Sequence, residues 1–321
     1  MKKIGVLTSG GDAPGMNAAI RAVVRFGIYH NMEVYGIKSG YEGLINGDVE
    51  LMDRRSVGDI LQRGGTILKT ARCKEFVTEE GRAKAYKTMR DLGIEDLVVI
   101  GGNGSLTGAK LLSEEYGVNI MGIPGTIDND LQYTDNTIGF DTAINTVLEA
   151  ITRIRDTSSS HQRTSVIEVM GRHCGDIALY SGITGGAECV LLPEIEDSID
   201  SVYKKVSEGI DSGKLHSIII KAEGVEIDNE ELFRKLKETT GRTVNYVVLS
   251  YLQRGGSPTF RDRMLATQCG MTAIDLIRHG EKNRAIGERN GHIVHYDLAE
   301  ALEMTRGIDY DLYKGVDVLS M

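Results

Sequence analysis

The segment Thr8-Ser9-Gly10-Gly11-Asp12-Ala13-Pro14-Gly15-Met16-Asn17 joins a short β-branched run, Lys3 to Leu7, to a helical pattern over Met16 to Tyr29. A strand followed by a tight glycine turn and a helix is typical of an α/β sheet. Glycines at that position also expose backbone N–H groups to an anion at the start of the helix. The glycines at 10, 11 and 15 fit neither the Walker A loop nor the GxGxxG fingerprint. A plain βα turn is therefore the better explanation of this segment taken alone.

Strand-like runs and helical patterns alternate along the rest of the chain. The further strand-like runs are Glu33 to Ile37, Asp96 to Ile100, Asn119 to Ile123, Thr164 to Met170, Glu188 to Leu192, Ser217 to Ala222 and Tyr246 to Ser250. The further helical patterns are Ser105 to Tyr116, Asp141 to Arg155, Ser198 to Ile210 and Glu230 to Glu238. Because the strand-like runs are apolar on both faces, they predict an α/β fold of buried parallel strands covered by helices.

The length of 321 residues suggests two domains. We expect a larger domain from residues 1–138 and a smaller one from 139–250. The helical pattern from Thr259 to His279 is expected to return to the larger domain. That domain then adds about 251–304, and the smaller domain adds the tail at about 305–321.

The charge balance limits the classes of partner. Lys and Arg number 37 against 46 Asp and Glu, which gives a net charge of −9. Nucleic acids and anionic membranes are bound by basic surfaces, so we expect neither as a partner. No run of apolar residues is long enough to predict a membrane span or a signal peptide, and we expect a cytoplasmic protein.

Two more glycine-rich loops follow strand-like runs. They are Gly101-Gly102-Asn103-Gly104-Ser105 and Gly122-Ile123-Pro124-Gly125-Thr126-Ile127-Asp128-Asn129-Asp130. Loops of this kind converge at the carboxyl edge of a parallel sheet, where such sheets bind ligands. In a tight turn Asp128 and Asp130 can converge, one to take a proton and the other to hold magnesium, as phosphoryl transfer requires. For the two carboxylates alone, an Asx-turn pair that caps the next helix is an equally good explanation.

Together and in this order, the three loops resemble those of the bacterial-type ATP-dependent 6-phosphofructokinase family. The resemblance runs from Lys3 to about Asp311 and includes Met170-Gly171-Arg172 and Gln253-Arg254-Gly255-Gly256-Ser257-Pro258. It implies two Rossmann-like three-layer domains with mostly parallel sheets, an active site in the cleft between them, and a homotetramer. It also implies Mg²⁺-dependent transfer of the ATP γ-phosphoryl group to O1 of fructose 6-phosphate.

The resemblance further implies roles for individual residues. Those around ATP are Gly11, Arg72, Cys73, Gly102, Asn103, Gly104 and Ser105. Asp128 is the general base, with Thr126 and Arg172 as further catalytic residues, while Asn103 and Asp130 face the magnesium ion. Those that bind the sugar phosphate are Thr126, Ile127, Asp128, Arg163, Met170, Gly171, Arg172, Glu223, Asn245, Tyr251, Leu252, Gln253 and Arg254. Glycine at 104 and 125, where pyrophosphate-dependent relatives carry Asp and Lys, favours ATP as the donor.

A second set of residues resembles the family's effector pocket at a subunit interface, where ADP and phosphoenolpyruvate compete. Its members are Arg21, Arg25, Arg54, Asp59, Arg155, Gly186, Ala187, Glu188, Ser212, Lys214, Leu215 and His216. Arg21 and Arg25 lie one helical turn apart and can contact the same phosphate. Ser212 departs from the family, which usually has Arg or Lys at this position.

Three further departures concern activity. Asn103 replaces an aspartate, and it predicts weaker metal use with reduced activity. Asn245 replaces an arginine and Tyr251 a histidine, both expected at the 6-phosphate of the sugar. A charge-assisted hydrogen bond contributes about 1.5 to 3 kcal/mol, so each change predicts roughly tenfold to hundredfold weaker sugar binding. Two alternatives therefore stay open: a kinase of the same fold for another sugar phosphate, and a weakly catalytic regulatory paralogue.

Overall fold

The computed structural model of the chain describes residues 1–196 and 199–320, which form two compact units. The strands are β1 (Lys3–Ser9), β2 (Glu33–Ile37), β3 (Val49–Met52), β4 (Asp96–Gly101), β5 (Asn119–Thr126), β6 (Ile138–Gly139), β7 (Thr164–Val169), β8 (Cys189–Leu191), β9 (Ser217–Ala222), β10 (Val244–Val248), β11 (Arg284–Arg289) and β12 (His292–Asp297). The helices are α1 (Met16–Tyr29), α2 (Gly40–Asn46), α3 (Glu79–Leu92), α4 (Asn103–Tyr116), α5 (Phe140–His161), α6 (Asp176–Gly185), α7 (Ile199–Asp211), α8 (Asn229–Thr240), α9 (Phe260–Arg278), α10 (Leu298–Glu303) and α11 (Tyr310–Leu319).

The first unit comprises Met1–Thr142 and Arg254–Arg306. Its sheet has the order β12-β11-β5-β4-β1-β2-β3, with the short β6 paired to β5. Only β3 and β12 are antiparallel to their neighbours, so the expected α/β fold with a mostly parallel sheet is confirmed. The central strand β4 is buried along its whole length, as its apolar residues on both faces predict.

The second unit comprises Ala143–Gln253 and the C-terminal stretch from Gly307. Its sheet has the order β10-β7-β9-β8, and all four strands are parallel. The core on one face is formed by residues of β7, β8 and β9 with Val202 and Val206 of α7 and Leu232 and Leu236 of α8. One charged group lies inside this sheet: Lys221, 2% exposed, forms a 2.9 Å ion pair with Glu168 on the next strand.

Four strands of the first unit were not predicted from the sequence, and one of them, β6, has only two residues. Strand β3 is an edge strand with exposed residues at its centre, and β11 and β12 carry charged residues among the apolar ones. β3 and β12 are the edge strands and β11 lies next to β12, and none of the three has the continuous apolar run that marks a buried strand. The turn between β11 and β12 does carry a recognisable signal, because Asn290 and Gly291 both have positive φ, as a two-residue hairpin requires.

Several element ends also differ from the sequence pattern. Helix α4 begins at Asn103, two residues earlier than expected, because Gly102 is extended and acts as its N-cap. Strand β5 continues through Pro124 and Gly125 to Thr126, so the third glycine-rich segment begins inside a strand. Helix α7 runs from Ile199, and the expected start at Ser198 lies outside the described residues.

A buried carboxylate fixes the end of the first unit's N-terminal stretch. Asp262 at the start of α9 is 1% exposed, and it accepts hydrogen bonds from the amides of Gly139 and Thr142, both at 2.8 Å, and from the Thr142 hydroxyl. These bonds attach residues 139–142 to α9, so the first unit extends to Thr142 rather than ending at 138. Burial raises the pKa of Asp262 to about 6, although the three hydrogen-bond donors lower it.

Within residues 1–196 and 199–320, no helix combines the length and the apolar character that crossing a bilayer requires.

Candidate functional site

Three βα junctions of the first unit end at one edge of its sheet. In the parallel ladder Ser9 pairs with Gly101, and Gly101 pairs with Pro124. The loops after β1, β4 and β5 therefore emerge side by side, as the sequence predicted from their order.

A cavity of about 490 Å³ opens at this edge. Residues of all three loops line it: Ser9, Gly10, Gly11, Gly102, Asn103, Gly104, Ser105, Gly125, Thr126, Asp128 and Asp130. Arg72, Cys73 and Arg254 complete this part of the wall. All seven residues expected around ATP thus line the same cavity as the two carboxylates.

Close packing explains the glycines at this edge. A Cβ at residue 101 would lie 2.7 Å from both the Ser9 carbonyl oxygen and the Ser105 Cβ, so only glycine fits there. Gly104 is different, because a Cβ at that position would meet nothing within 4 Å. Gly125 is tightly packed, with 3.0 Å from its would-be Cβ to the side chain of Ile100. Gly104 therefore leaves the cavity open, whereas Gly125 is required by the packing of the strand.

The far wall of the cavity consists of residues that the sequence analysis missed. The Phe76 ring stacks on Tyr41 with ring centroids 3.7 Å apart, and the Tyr41 hydroxyl donates to the Ser105 carbonyl at 2.6 Å. Burial raises the pKa of Tyr41, which keeps this donor protonated. Arg82, 7% exposed, pairs with both carboxylate oxygens of Glu115 and also donates to the carbonyls of Phe76 and Val77. In sequence these residues are ordinary members of amphipathic segments, and no motif marks them.

The two carboxylates sit on a tight turn after β5. Asn129 between them has φ of +54°, and the Asp128 amide donates to the Thr126 hydroxyl at 3.2 Å. Asp128 and Asp130 both line the cavity, whereas the Ile127 side chain is fully buried. Ile127, expected to bind the sugar phosphate, therefore does not line this cavity.

Arg254 reaches the first glycine loop. Its guanidinium donates to the Asp12 carbonyl at 3.3 Å and occupies the space beside Gly11, where a Cβ would collide with Nη1. Arg254 therefore adds a permanent positive charge to the cavity that Asp128 and Asp130 line.

Among the described residues, no group of three or more His, Cys, Asp or Glu side chains is arranged to hold a metal ion by protein ligands alone. Magnesium often uses only one or two carboxylates together with substrate phosphates. Asp130 and Asn103 line one cavity with Asp128, so the residues present fit a magnesium ion of that kind.

In the second unit, the expected sugar-binding residues fall at two opposite edges of the sheet. Met170, Gly171 and Arg172 follow β7, and Glu223 follows β9, so these four lie at the carboxyl edge. Arg163 precedes β7, and Asn245 pairs with Ser165 near the start of β10, so both lie toward the amino edge. Thr164 and Val169 are five residues apart, which corresponds to roughly 17 Å at 3.3 Å per residue. The chain does not bring the two groups together within this unit.

The residues after β10 differ in how far they are exposed to solvent. Tyr251 and Leu252 are 78% and 68% exposed, whereas Gln253 is fully buried. The Gln253 side chain accepts from the Met170 amide at 3.1 Å and donates to the Ser250 carbonyl at 3.1 Å. Gln253 thus holds the loop that starts at Met170.

A profile of the phosphofructokinase family matches residues 3–277 of this chain. The chain belongs to the phosphofructokinase family. A relative from Halothermothrix orenii (strain H 168) named ATP-dependent 6-phosphofructokinase is 54% identical over 332 residues, covering all of both chains. A Clostridium botulinum (strain Loch Maree) protein of the same name is 55% identical over 320 residues, again covering all of both. The structure of phosphofructokinase from Saccharomyces cerevisiae matches with a TM-score of 0.91 at 35% identity, covering 100% of this chain and 48% of the yeast chain.

The residues that resemble the family's effector pocket line two cavities, one in each unit. Arg21, Arg25, Arg54 and Asp59 line a cavity of about 590 Å³ in the first unit. The cavity in the second unit, about 430 Å³, is lined by Arg155, Gly186, Glu188, Lys214, Leu215 and His216. Each cavity therefore brings several basic groups of the phosphofructokinase effector set together.

Two members of this set lie elsewhere. Ala187 is buried, and Ser212 lines a different cavity, where its hydroxyl donates to the Gly209 carbonyl at 2.7 Å. Within the second cavity Lys214 lies 3.6 Å from Glu188 and also donates to the Ser320 carbonyl. Burial lowers the pKa of His216, which favours its neutral form.

Proposed function

We propose that this chain transfers the γ-phosphoryl group of ATP to O1 of fructose 6-phosphate, giving fructose 1,6-bisphosphate and ADP. The observation that carries the proposal is the single cavity that holds three glycine-rich βα junctions and the carboxylates of Asp128 and Asp130. The relatives named ATP-dependent 6-phosphofructokinase, at 54% and 55% identity over the whole chain, support it.

The nucleotide would lie along the glycine-rich loops. Helix α4 begins at Asn103, so the positive end of its dipole faces the cavity and favours the phosphates. The open space at Gly104 leaves room for a nucleotide, which supports ATP over pyrophosphate as the donor. Arg72 and Arg254 add fixed positive charge in the same cavity.

Asp128 would act as general base in the transfer. Its carboxylate takes the proton of the sugar O1 hydroxyl while the bond from O1 to the γ-phosphorus forms. The bond between that phosphorus and the β–γ bridging oxygen breaks, and its electrons leave with ADP. Asp130 and the Asn103 amide would hold Mg²⁺, which when bound neutralises charge on the phosphates. Asn103 supplies no charge, and this supports a higher magnesium requirement with reduced activity.

The sugar phosphate would be bound by residues of both sheet edges of the second unit. Met170, Arg172 and Glu223 lie at the carboxyl edge, whereas Arg163 and Asn245 lie at the other edge of the same sheet. A second copy of the chain would supply the latter pair, which supports an oligomer, and we propose that it is a homotetramer. Thr126 is positioned to donate its hydroxyl proton to the substrate, because its oxygen already accepts from the Asp128 amide.

Regulation and location follow from the same proposal. The arginine-lined cavity of the first unit and the cavity around Lys214 suit the phosphates of ADP or phosphoenolpyruvate as effectors. A glycolytic kinase that uses ATP and a sugar phosphate works in the cytoplasm, and we propose that location.

A coupled assay of ADP release with ATP, Mg²⁺ and a panel of sugar phosphates tests the function. We expect fructose 6-phosphate to be the best acceptor. Asp128→Asn should lower kcat by about a hundred- to ten-thousandfold with little change in the KM for ATP, because a general base acts on the barrier. The exposed Asp211→Asn serves as control and should keep full activity.

Three outcomes contradict the proposal in different ways. Turnover of another sugar phosphate alone would favour the alternative kinase. Saturable ADP binding without turnover on any sugar phosphate would favour the regulatory paralogue. Full activity of Asp128→Asn would remove this residue from the mechanism.

A further inference from the structure

We propose that Asn129 is the positioning residue that aims the carboxylates of Asp128 and Asp130 into the cavity, an inference that rests on the proposed function. Asn129 lies between the two aspartates, and only 1% of it is exposed. Its side chain points away from solvent into the adjacent loop. There it makes two hydrogen bonds to backbone groups.

The two bonds connect the turn to residues 134–137. The Asn129 Oδ1 accepts from the Thr137 amide at 3.0 Å, and its Nδ2 donates to the Asp135 carbonyl at 3.2 Å. Thr137 also binds the other end of the turn, where its hydroxyl donates a hydrogen bond to the Thr126 carbonyl at 2.6 Å. The catalytic turn is therefore attached to one neighbouring loop at both Thr126 and Asn129.

That neighbouring loop is itself held by the hairpin of β11 and β12. The Asp135 amide donates to the Glu288 carbonyl at 2.8 Å, and the Asp135 carboxylate accepts from the Asn290 amide at 2.7 Å. Arg289 pairs with the same carboxylate at 3.3 Å. The hairpin thus fixes the loop at Asp135, and this loop fixes Asn129. Asn129 in turn orients the two neighbouring aspartates.

The backbone of the turn makes this support necessary. Asn129 adopts φ of +54°, a left-handed conformation that asparagine tolerates better than most residues. Asp128 and Asp130 lie beyond the end of β5, so no sheet ladder fixes their direction. A displacement of about 1 Å in a reacting group can cost about a hundredfold in rate. Loss of the Asn129 side chain should therefore affect the barrier more than binding.

The variant Asn129→Gly tests this, because glycine keeps the left-handed conformation and removes the side-chain hydrogen bonds, including those to Thr137 and Asp135. We expect kcat to fall by about ten- to a hundredfold, with the KM for ATP changed less than about twofold. Thr137→Val removes the hydroxyl bond to Thr126 with little change in volume. We expect it to lower kcat by a smaller factor, and it tests the same support if the glycine variant fails to fold.

The chain offers a matched control at the opposite edge of the same sheet. Asn283 is also left-handed, with φ of +50°, and its Oδ1 accepts from the Ile120 amide at 3.1 Å and the Ser113 hydroxyl at 2.9 Å. Asn283→Gly should lower Tm about as much as Asn129→Gly and leave kcat unchanged.

The outcomes separate the inference from the function on which it rests. If the wild-type chain transfers phosphate to the sugar and Asn129→Gly keeps its kcat, the positioning role is wrong and the proposed function stands. Equal losses of kcat in the two glycine variants would show a general structural effect and would also overturn the role. An inactive wild-type chain would overturn the proposed function together with this inference.

Discussion

Asp262→Asn should remove a pH dependence from the stability of the first unit. The carboxylate is buried at the start of α9 and accepts hydrogen bonds from Gly139 and Thr142. Burial raises its pKa to about 6, from an ordinary value of about 3.9 in the unfolded chain. The folded state therefore holds this proton more tightly than the unfolded state does.

The sign and size of the effect follow from that difference. Protonated Asp262 contributes its full stabilisation below about pH 4, and this contribution is lost as the pH rises through about 6. A shift of about two pKa units corresponds to about 3 kcal/mol of unfolding free energy. Asparagine resembles the protonated acid in shape and charge, and it does not titrate. The variant should therefore not lose this unfolding free energy as the pH rises.

Urea unfolding of both proteins, followed by circular dichroism, measures the effect. Other carboxylates have lowered pKa values, such as Glu115 beside Arg82, and they give the opposite slope in both proteins equally. The informative quantity is therefore the unfolding free energy of the variant minus that of the wild type. We expect it to increase by about 2 kcal/mol between pH 4 and pH 7, which is most of the full effect. A difference that stays constant with pH would refute the argument.

Three further variants test the site. Asn103→Asp adds a carboxylate to the cavity that Asp128 and Asp130 line, and it should lower the free Mg²⁺ needed for half of the maximal rate, while identical magnesium curves would contradict the proposed metal role. Asn245→Arg should lower the KM for fructose 6-phosphate by about tenfold to a hundredfold through a charge-assisted hydrogen bond, and an unchanged KM would place residue 245 outside the sugar site. Arg25→Ala removes one of the arginines in the cavity of the first unit and should weaken the response to ADP without changing the rate in its absence, whereas an intact response would show that effectors bind elsewhere.

The loops of the candidate site could be predicted from the sequence because their chemistry is local. Glycines at 10, 11 and 102 follow apolar runs, and parallel strands bring such loops to one edge. The resemblance to the phosphofructokinase family, which rests on these loops, is confirmed. The sequence left open whether Asp128 and Asp130 converge on a ligand or cap the next helix, and in the structure both line the cavity.

The residues of the far wall of the cavity could not be predicted from the sequence. Tyr41, Phe76 and Arg82 reach the site through a ring stack, a bond to the Ser105 carbonyl and an ion pair with Glu115. Each of these contacts joins residues that are distant in the chain. Nothing in the local pattern distinguishes such residues from ordinary members of a helix or a core.

By itself, the sequence determined the class of the fold, the strands and helices with clear apolar patterns, and the three loops at one sheet edge. The reason is that apolar periodicity and glycine placement act over a few residues. The tertiary structure alone decided that Arg163 and Asn245 lie at the opposite sheet edge from Glu223, and that Asn129 is attached to the loop at Thr137. Those arrangements depend on strand register and on contacts between distant segments, which only the assembled chain specifies.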